Sequence, residues 1–331
     1  MKKNIQDIII VGGGPIGMAC GIAAKRAGLD YLILEKGALV NSLFHYPLYM
    51  TFFSTAERLE IGGIPFTCIQ PKPGRQEALE YYRKVQEKEQ LRIRLFCAVT
   101  DIKQQPDGSF ALTTVEDTLC ARHVVIATGF YGRPYLLNIP GETLPKVRHY
   151  YQEPHEYAFR KVVVVGAQNS AVDAALQTFR KGAEVTMVIR GGGIGERVKY
   201  WIRPDIINRI AEGSVQAYFH ARLLEIKDKS VMIATPDGVR EIANDFVLAM
   251  TGYRPDNTFL EKLGVTFSAD GKRQPTFHPE TMETNVPNLF LAGVICGGTE
   301  THRLIIENSR VHADLIVKCI TERRQARYGA K

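Results

Sequence analysis

The stretch DIIIVGGGPIGMACGIAAKRAGLDYLILEK, residues 7–36, decides the fold. Asp7–Val11 is a short continuous apolar run, as expected of a parallel strand buried on both faces. A glycine-rich turn, Gly12-Gly13-Gly14-Pro15-Ile16-Gly17, follows it. Met18–Ala27 is rich in small helix formers, and Gly28 suits a C-terminal cap. Tyr31–Leu34 is a second apolar strand. The order is strand, turn, helix, strand, a βαβ unit whose crossover is right-handed.

Gly12, Gly14 and Gly17 satisfy G-x-G-x-x-G, and each has a physical task. Gly12 makes the tight turn, Gly14 lets backbone approach a pyrophosphate, and Gly17 lets the helix pack closely on the sheet. The helix N-terminus offers free N–H groups and the positive dipole end to phosphates, Pro15 alone having none to give. Glu35 ends the next strand, about 20 residues on, where a carboxylate accepts both ribose hydroxyls. This is a dinucleotide site.

The plan recurs at residues 161–191. Val162–Val165 reads as a strand, Ala171–Lys181 as a helix stopped by Gly182, and Glu184–Ile189 as a strand. The turn is Gly166-Ala167-Gln168-Asn169-Ser170-Ala171. Gly166 and Ala171 fit the first and third positions, but Gln168 holds the middle one and should keep a pyrophosphate farther from the backbone. Arg190 stands where the first repeat has Glu35. A guanidinium there favours the 2′-phosphate of NADPH over NADH, with Arg197 and Lys199 placed to assist.

Between the repeats, residues 91–114 suggest strands around Pro106-Asp107-Gly108, and His123–Ala127 reads as a strand running into Thr128-Gly129. Residues 222–248 repeat that pattern around Pro236-Asp237-Gly238 and lead to Thr251-Gly252. Strand Leu289–Ala292, Gly293 and a helix from about His302 to Glu322 close the chain. The expected class is α/β, with two Rossmann-like (FAD/NAD(P)-binding) three-layer domains, the second inserted in the first. The expected boundaries are 1–150 plus 275–331 for the FAD-binding domain and 151–274 for the NADPH-binding domain.

The 331 residues suffice for two domains, and 45% apolar with 23% charged residues is ordinary globular composition. The formal charge of +7 suits phosphorylated cofactors or an acidic partner. No basic block is interleaved with aromatics, so nucleic acid is not expected. The densest basic run, Arg323, Arg324, Arg327 and Lys331, reads as a solvated helix end. Cys20, Cys68, Cys97, Cys120, Cys296 and Cys319 form neither a C-x-x-C nor a cluster with metal spacing, so no metal is expected and a reducing cytosol is. Lys2 and Lys3 before an apolar run imitate a signal peptide, but Asp7 and the glycines fit a strand and turn better. No apolar stretch approaches the roughly 20 residues needed to span a bilayer.

The ordered set Gly12–Gly17, Glu35, Ala127-Thr128-Gly129, Gly166–Ala171, Thr251-Gly252-Tyr253-Arg254-Pro255 and Thr284–Gly293 spans almost the whole chain. It resembles the thioredoxin-reductase-like flavoproteins with two dinucleotide-binding domains. Within them, Asn41–Phe53, Tyr81-Tyr82-Arg83 and Ile306-Glu307-Asn308 look like the YpdA-type bacillithiol disulfide reductases. The resemblance implies FAD along Gly12, Gly14, Pro15, Ile16, Gly17, Glu35, Lys36, Thr128, Gly129, Gly293 and Val294. It places the adenine near Val99 and the isoalloxazine near Tyr46, Thr51 and Gly293. It assigns NADPH to Gly166, Gln168, Asn169, Ser170, Ala171, Arg190 and Gly252.

Several positions depart from those families. Thioredoxin reductases carry a C-x-x-C that this chain lacks. Members of the YpdA group often place a cysteine in the first glycine loop, where Ile16 stands here. Many relatives have an Asp after the Ala-Gly pair, where this chain has Val294. Cys20 reads as a small core residue, while Cys296, three residues past Gly293, is the better candidate thiol. The resemblance implies hydride transfer from NADPH to FAD and on to a small disulfide, in a homo-oligomer, dimer or tetramer. An NADPH-dependent reductase of an acidic ferredoxin or flavodoxin is the alternative, and the positive charge suits it. A flavin monooxygenase is a further one, but only the His of F-x-G-x-x-x-H is present, as His149. A redox-sensing module that holds FAD without turnover is the non-enzymatic alternative. His45, His149, His278 and His302 are candidate proton donors.

Overall fold

The computed structural model describes residues 5–328, so Lys331 lies outside the described residues. The chain divides into two compact units. One comprises residues 5–44, 54–133 and 254–328, and the other residues 45–53 and 134–253. The changes of unit fall at 133/134 and 253/254. Residues 134–150 belong to the second unit because Val147–Arg148 pairs in parallel with Phe246–Ala249. Residues 254–274 belong to the first, where Phe267 bridges to Pro275 and Lys262 pairs with Asp101. Residues 45–53 also join the second unit, although their neighbours on both sides lie in the first.

In the first unit β1 (Ile5–Val11), α1 (Pro15–Arg26) and β2 (Tyr31–Leu34) form the expected βαβ unit. The helix begins three residues ahead of the expected Met18. Pro15 sits in its first turn, where a missing N–H costs nothing and the ring pre-sets φ. It ends at Gly28, whose left-handed φ of 65° turns the chain so that the Leu29 N–H returns to the Ala24 carbonyl at 3.0 Å. β1 lies between β2 and the strand Thr118–Ile126, parallel to both, and Leu289–Leu291 adds in parallel to the latter. Val99–Gln104 and Phe110–Thr114 extend the sheet as an antiparallel hairpin. Ile8, Ile9, Ile10, Val124, Val125 and Phe290 are fully buried, as strands covered on both faces require.

The expected helix from His302 is broken in two, Ile306–Ser309 and His312–Tyr328. The Asn308 side chain accepts from the Ile305 N–H at 2.8 Å and donates to the Arg303 carbonyl at 2.7 Å. That pins residues 303–305 as a turn, and Ile305 is extended.

The second unit repeats the plan with Lys161–Val165, the helix Asn169–Phe179 and Glu184–Val188. Its strands are all parallel, in the order Gln216–Tyr218, Glu184–Val188, Lys161–Val165, Phe246–Ala249, Val147–Arg148. Arg222–Ile226, Ser230–Thr235 and Gly238–Ala243 form the separate antiparallel meander. The helix face of Ala171, Val172, Ala175 and Leu176 packs on Val162, Val164, Val185 and Met187.

Candidate functional site

Three glycines of the first loop, Gly12, Gly13 and Gly17, leave no room for a side chain. A Cβ on Gly12 would collide with the Ala127 carbonyl, and one on Gly17 with the Gly12 carbonyl. Gly12 also has φ 113°, which L side chains avoid. Gly13, a variable position of the motif, is equally constrained. A Cβ there would lie 2.8 Å from Glu35 Cβ and from Ile93 Cδ1. Around a Cβ on Gly14 or Gly129 there is open space within 4 Å. Backbone is thus exposed where a pyrophosphate would approach.

Glu35 is buried at 6% exposure and closes the loop. It accepts from Gly13 N–H at 2.7 Å and from Gly37 N–H at 3.0 Å. Each carboxylate oxygen retains a lone pair for a ribose hydroxyl. α1 opens with neither a side-chain cap nor an acidic residue in its first turn, while Lys25 and Arg26 stand in its last. This charge order leaves the positive helix end available to an anion. Thr128 Oγ1 is buried with no partner among the described residues, a polar atom left for a bound group. Lys36 is exposed, with its Nζ over Gly132. Cys97 N–H donates to the Glu35 carbonyl, which brings the strand starting at Val99 to this end of the loop. These residues fit a dinucleotide.

Ile16 lies against Gly293, so the glycine loop and the turn after Leu289–Leu291 meet. Val294–Gly297 is one 3₁₀ turn. The Gly293 N–H donates to His312 Nδ1 at 3.1 Å. His312 is buried at 8% exposure, and burial pulls its pKa down to about 4. It is a neutral imidazole whose remaining proton is on Nε2. His312 is not among the histidines that the sequence singles out, because the pattern from His302 to Glu322 suggests one continuous helix and hides the break before it. Its signal was a polar residue just after the break, in line with the buried face.

Tyr46 and Thr51 belong to the second unit, whereas Gly12–Gly17 belong to the first. Burial pushes the Tyr46 hydroxyl up to about 12, with Tyr253 adding to the effect.

At the second loop a Cβ on Gly166 would lie 2.5 Å from the Met250 carbonyl, the same approach that Gly12 makes to Ala127. Ala171 occupies the third position, Ser170 precedes it, and Gly252 turns out of the adjacent strand at φ 91°. The Gln168 amide packs over Gly195, so the middle position is filled from within the unit. Asn169 donates to the Arg197 carbonyl at 3.1 Å and accepts from Lys199 N–H at 2.8 Å. Gly195 N–H donates to the Ala167 carbonyl at 2.9 Å. The segment 191–199 is therefore tied down onto the glycine loop. Arg190 and Arg197 are exposed. Lys199 is not placed to assist them as expected. It is buried at 6% exposure and pairs with Asp173 at 2.8 Å.

All six cysteines are free. Cys296 is 2% exposed and burial pushes its thiol well above the ordinary range. Cys20 is fully buried, and burial with the Asp314 charge raises it to about 12. A thiolate is the nucleophile in disulfide exchange, and neither environment favours one. His149 lies 3.4 Å from Glu142, His278 Nδ1 accepts from Glu280 N–H, and His302 is exposed. His45 meets Gln152. Among the described residues no group of acidic, His or Cys side chains could hold a metal, and no helix is long and apolar enough to cross a membrane.

Residues 9–293 match the family model described as pyridine nucleotide-disulphide oxidoreductase. The chain belongs to that family. It is a flavin-dependent oxidoreductase of α/β fold. Its relatives include the bacilliredoxin reductase Bdr of Bacillus subtilis (strain 168), 42% identical over 96% of this chain and 98% of that protein. Two solved structures titled bacillithiol disulfide reductase Bdr (YpdA) superpose with a TM-score of 0.94. The Staphylococcus aureus protein is 38% identical, covering 98% of this chain and all of that one. The Bacillus cereus protein is 39% identical, covering 97% and 100%. The resemblance to YpdA-type reductases drawn from the ordered motifs holds along the chain.

Proposed function

We propose that the chain is an FAD-dependent NADPH oxidoreductase that reduces a low-molecular-weight disulfide such as bacillithiol disulfide. One observation carries it. Two glycine loops on two βαβ units are closed differently, by the Glu35 carboxylate in one and by the backbone of residues 195–199 in the other. FAD is assigned to Gly12–Gly17, Glu35, Lys36, Thr128, Gly129, Gly293 and Val294, with Val99, Tyr46 and Thr51 as further contacts. NADPH is assigned to Gly166, Gln168–Ala171, Arg190 and Gly252. The first unit is then the FAD-binding domain and the second the NADPH-binding domain.

A flavin held by these residues would supply two-electron redox chemistry between NADPH and the disulfide, whose S–S bond would be cleaved to two thiols with the hydride's electron pair and protons from solvent. The chain's own residues hold and orient the two nucleotides. Gly12, Gly14 and Gly17 leave backbone bare for the pyrophosphate, and Glu35 selects ribose hydroxyls. His312 keeps the turn at Gly293 in place through a neutral ring nitrogen. With Ile16 in the glycine loop, and Cys20 and Cys296 buried and raised, the reading uses no protein thiol. The formal charge of +7 favours a second reading, reduction of an acidic ferredoxin or flavodoxin. The proposal includes a cytoplasmic homo-oligomer, as for thioredoxin-reductase-like proteins.

The test is NADPH oxidation by the purified yellow protein with bacillithiol disulfide, with ferredoxin or flavodoxin, and with oxygen plus an organic substrate. Turnover with the disulfide that survives Cys20→Ser and Cys296→Ser is expected. A preparation that binds no flavin, or that uses only the carrier protein, overturns the reading.

A further inference from the structure

A cavity of about 530 Å³ lies in the second unit, lined by neither glycine loop. Its volume suits a small molecule. We infer that this cavity binds the electron acceptor as a small, carboxylate-bearing disulfide. The inference rests on the proposed function and adds to it the site and charge of the acceptor.

Its lining combines aromatic surface with an excess of cations. Tyr49 and Trp201 supply the aromatic part, and Tyr49 is 57% exposed. Trp201 is stacked on Phe53 at 6.0 Å and meets Tyr200 edge-on at 4.9 Å, so its ring is held by neighbours on two sides. Arg180, Lys181 and Lys199 face one carboxylate, Asp173. Lys199 is spent on Asp173 in a buried pair, and Arg180 pairs with Asp205. Lys181 is exposed and in no ion pair among the described residues. A buried ion pair in a cavity wall is expensive to desolvate. The Asp173–Lys199 pair gives the wall a fixed polar floor, and Lys181 supplies a charge that an incoming carboxylate can use. Thr51 adds a hydroxyl on the same wall. The chemistry recognised is a flat or extended group against Tyr49 and Trp201 with a carboxylate toward Lys181.

Trp201 is the chain's single tryptophan, so tryptophan emission arises from the wall of this cavity. The holoenzyme, without NADPH, is titrated with bacillithiol disulfide, a carboxylate-bearing disulfide, and with uncharged 2-hydroxyethyl disulfide. A saturable change in Trp201 emission with bacillithiol disulfide is expected, with affinity about tenfold weaker for Lys181→Glu, the size of losing one hydrogen bond to a charged group. Lys181→Arg should retain most of the affinity, and the uncharged disulfide should bind more weakly to the parent protein. No saturable response, or an affinity equal in Lys181→Glu, overturns the site. NADPH oxidation by the same disulfide separates the two readings. Turnover without a Trp201 response removes the site and leaves the function standing. A Lys181-dependent response without turnover removes the function and, with it, the acceptor role of the site.

Discussion

The two glycine loops start from the same backbone and end in different chemistry. Gly12 and Gly166 both pass so close to a neighbouring carbonyl, of Ala127 and Met250, that no side chain fits. Beyond that first turn they diverge. Gly17 would collide with Gly12 if it carried a Cβ, whereas the second loop accepts Ala171. The first loop stays open at Gly14 and is drawn shut from below by Glu35. The second is roofed by Gln168 against Gly195 and by Asn169 holding residues 197–199. One plan thus yields a loop closed by a carboxylate and a loop closed by a basic segment. The tight turn is a requirement of the fold, and what closes it differs between the two loops.

The strongest way to break the comparison is Gly17→Val. The side chain meets backbone that cannot yield, so a loss above about 4 kcal/mol is expected, seen as failure to hold flavin at its visible absorbance. Retained flavin would mean that the close packing of α1 on the sheet is not required.

The next effect concerns His312. Its folded pKa, about 4, lies below the ordinary histidine value. As pH falls through about 6.5 the unfolded chain takes up a proton that the folded one refuses, so stability is lost on acidification. The expected loss is about 2 kcal/mol between about pH 6.5 and 5, measured by urea unfolding, and His312→Gln should flatten that slope. A variant with the parent slope would show that the ring at Gly293 is not held neutral.

Arg190→Ala tests the end of the second unit's strand, where the first unit has Glu35. It is expected to raise the KM for NADPH by an amount equivalent to about 1.5–3 kcal/mol and to leave NADH nearly unaffected. Equal effects on both cofactors would remove Arg190 from the 2′-phosphate. The smallest change is Ala171→Gly, which imitates the first loop in the second. It should cost only about 0.5–1 kcal/mol in thermal unfolding, the ordinary glycine penalty in a helix. A loss as large as that of Gly17→Val would mean that the two third positions carry the same constraint.

Much of this was legible before any coordinates. Strand, glycine turn and helix are short-range matters. Continuous apolar runs mark buried parallel strands, and a glycine is needed wherever φ is positive or backbone comes close. The run from Asp7 to Glu35 therefore declared its βαβ unit, and Tyr31–Leu34 fell on the residues expected. Helix starts were less legible. Pro15 and Asn169 begin helices that the apolar pattern starts only two or three residues later, because each first turn is set by a backbone hydrogen bond back to the loop, from Met18 N–H to Gly14 and from Val172 N–H to Gln168.

What depended on contacts distant in sequence could not be read locally. Lys199 looked like a third basic group beside Arg190, but packing turns it inward to Asp173. His312 lies 19 positions from Gly293 and reaches it only once the last helix docks. Residues 45–53 leave the unit that surrounds them in sequence, and nothing in their composition says so. The two βαβ units and the tight turns after their first strands follow from local stereochemistry, and so are written in residues 7–36 and 161–191. Which side chains close each turn depends on burial and on partners far away in the chain, and only packing brings those together.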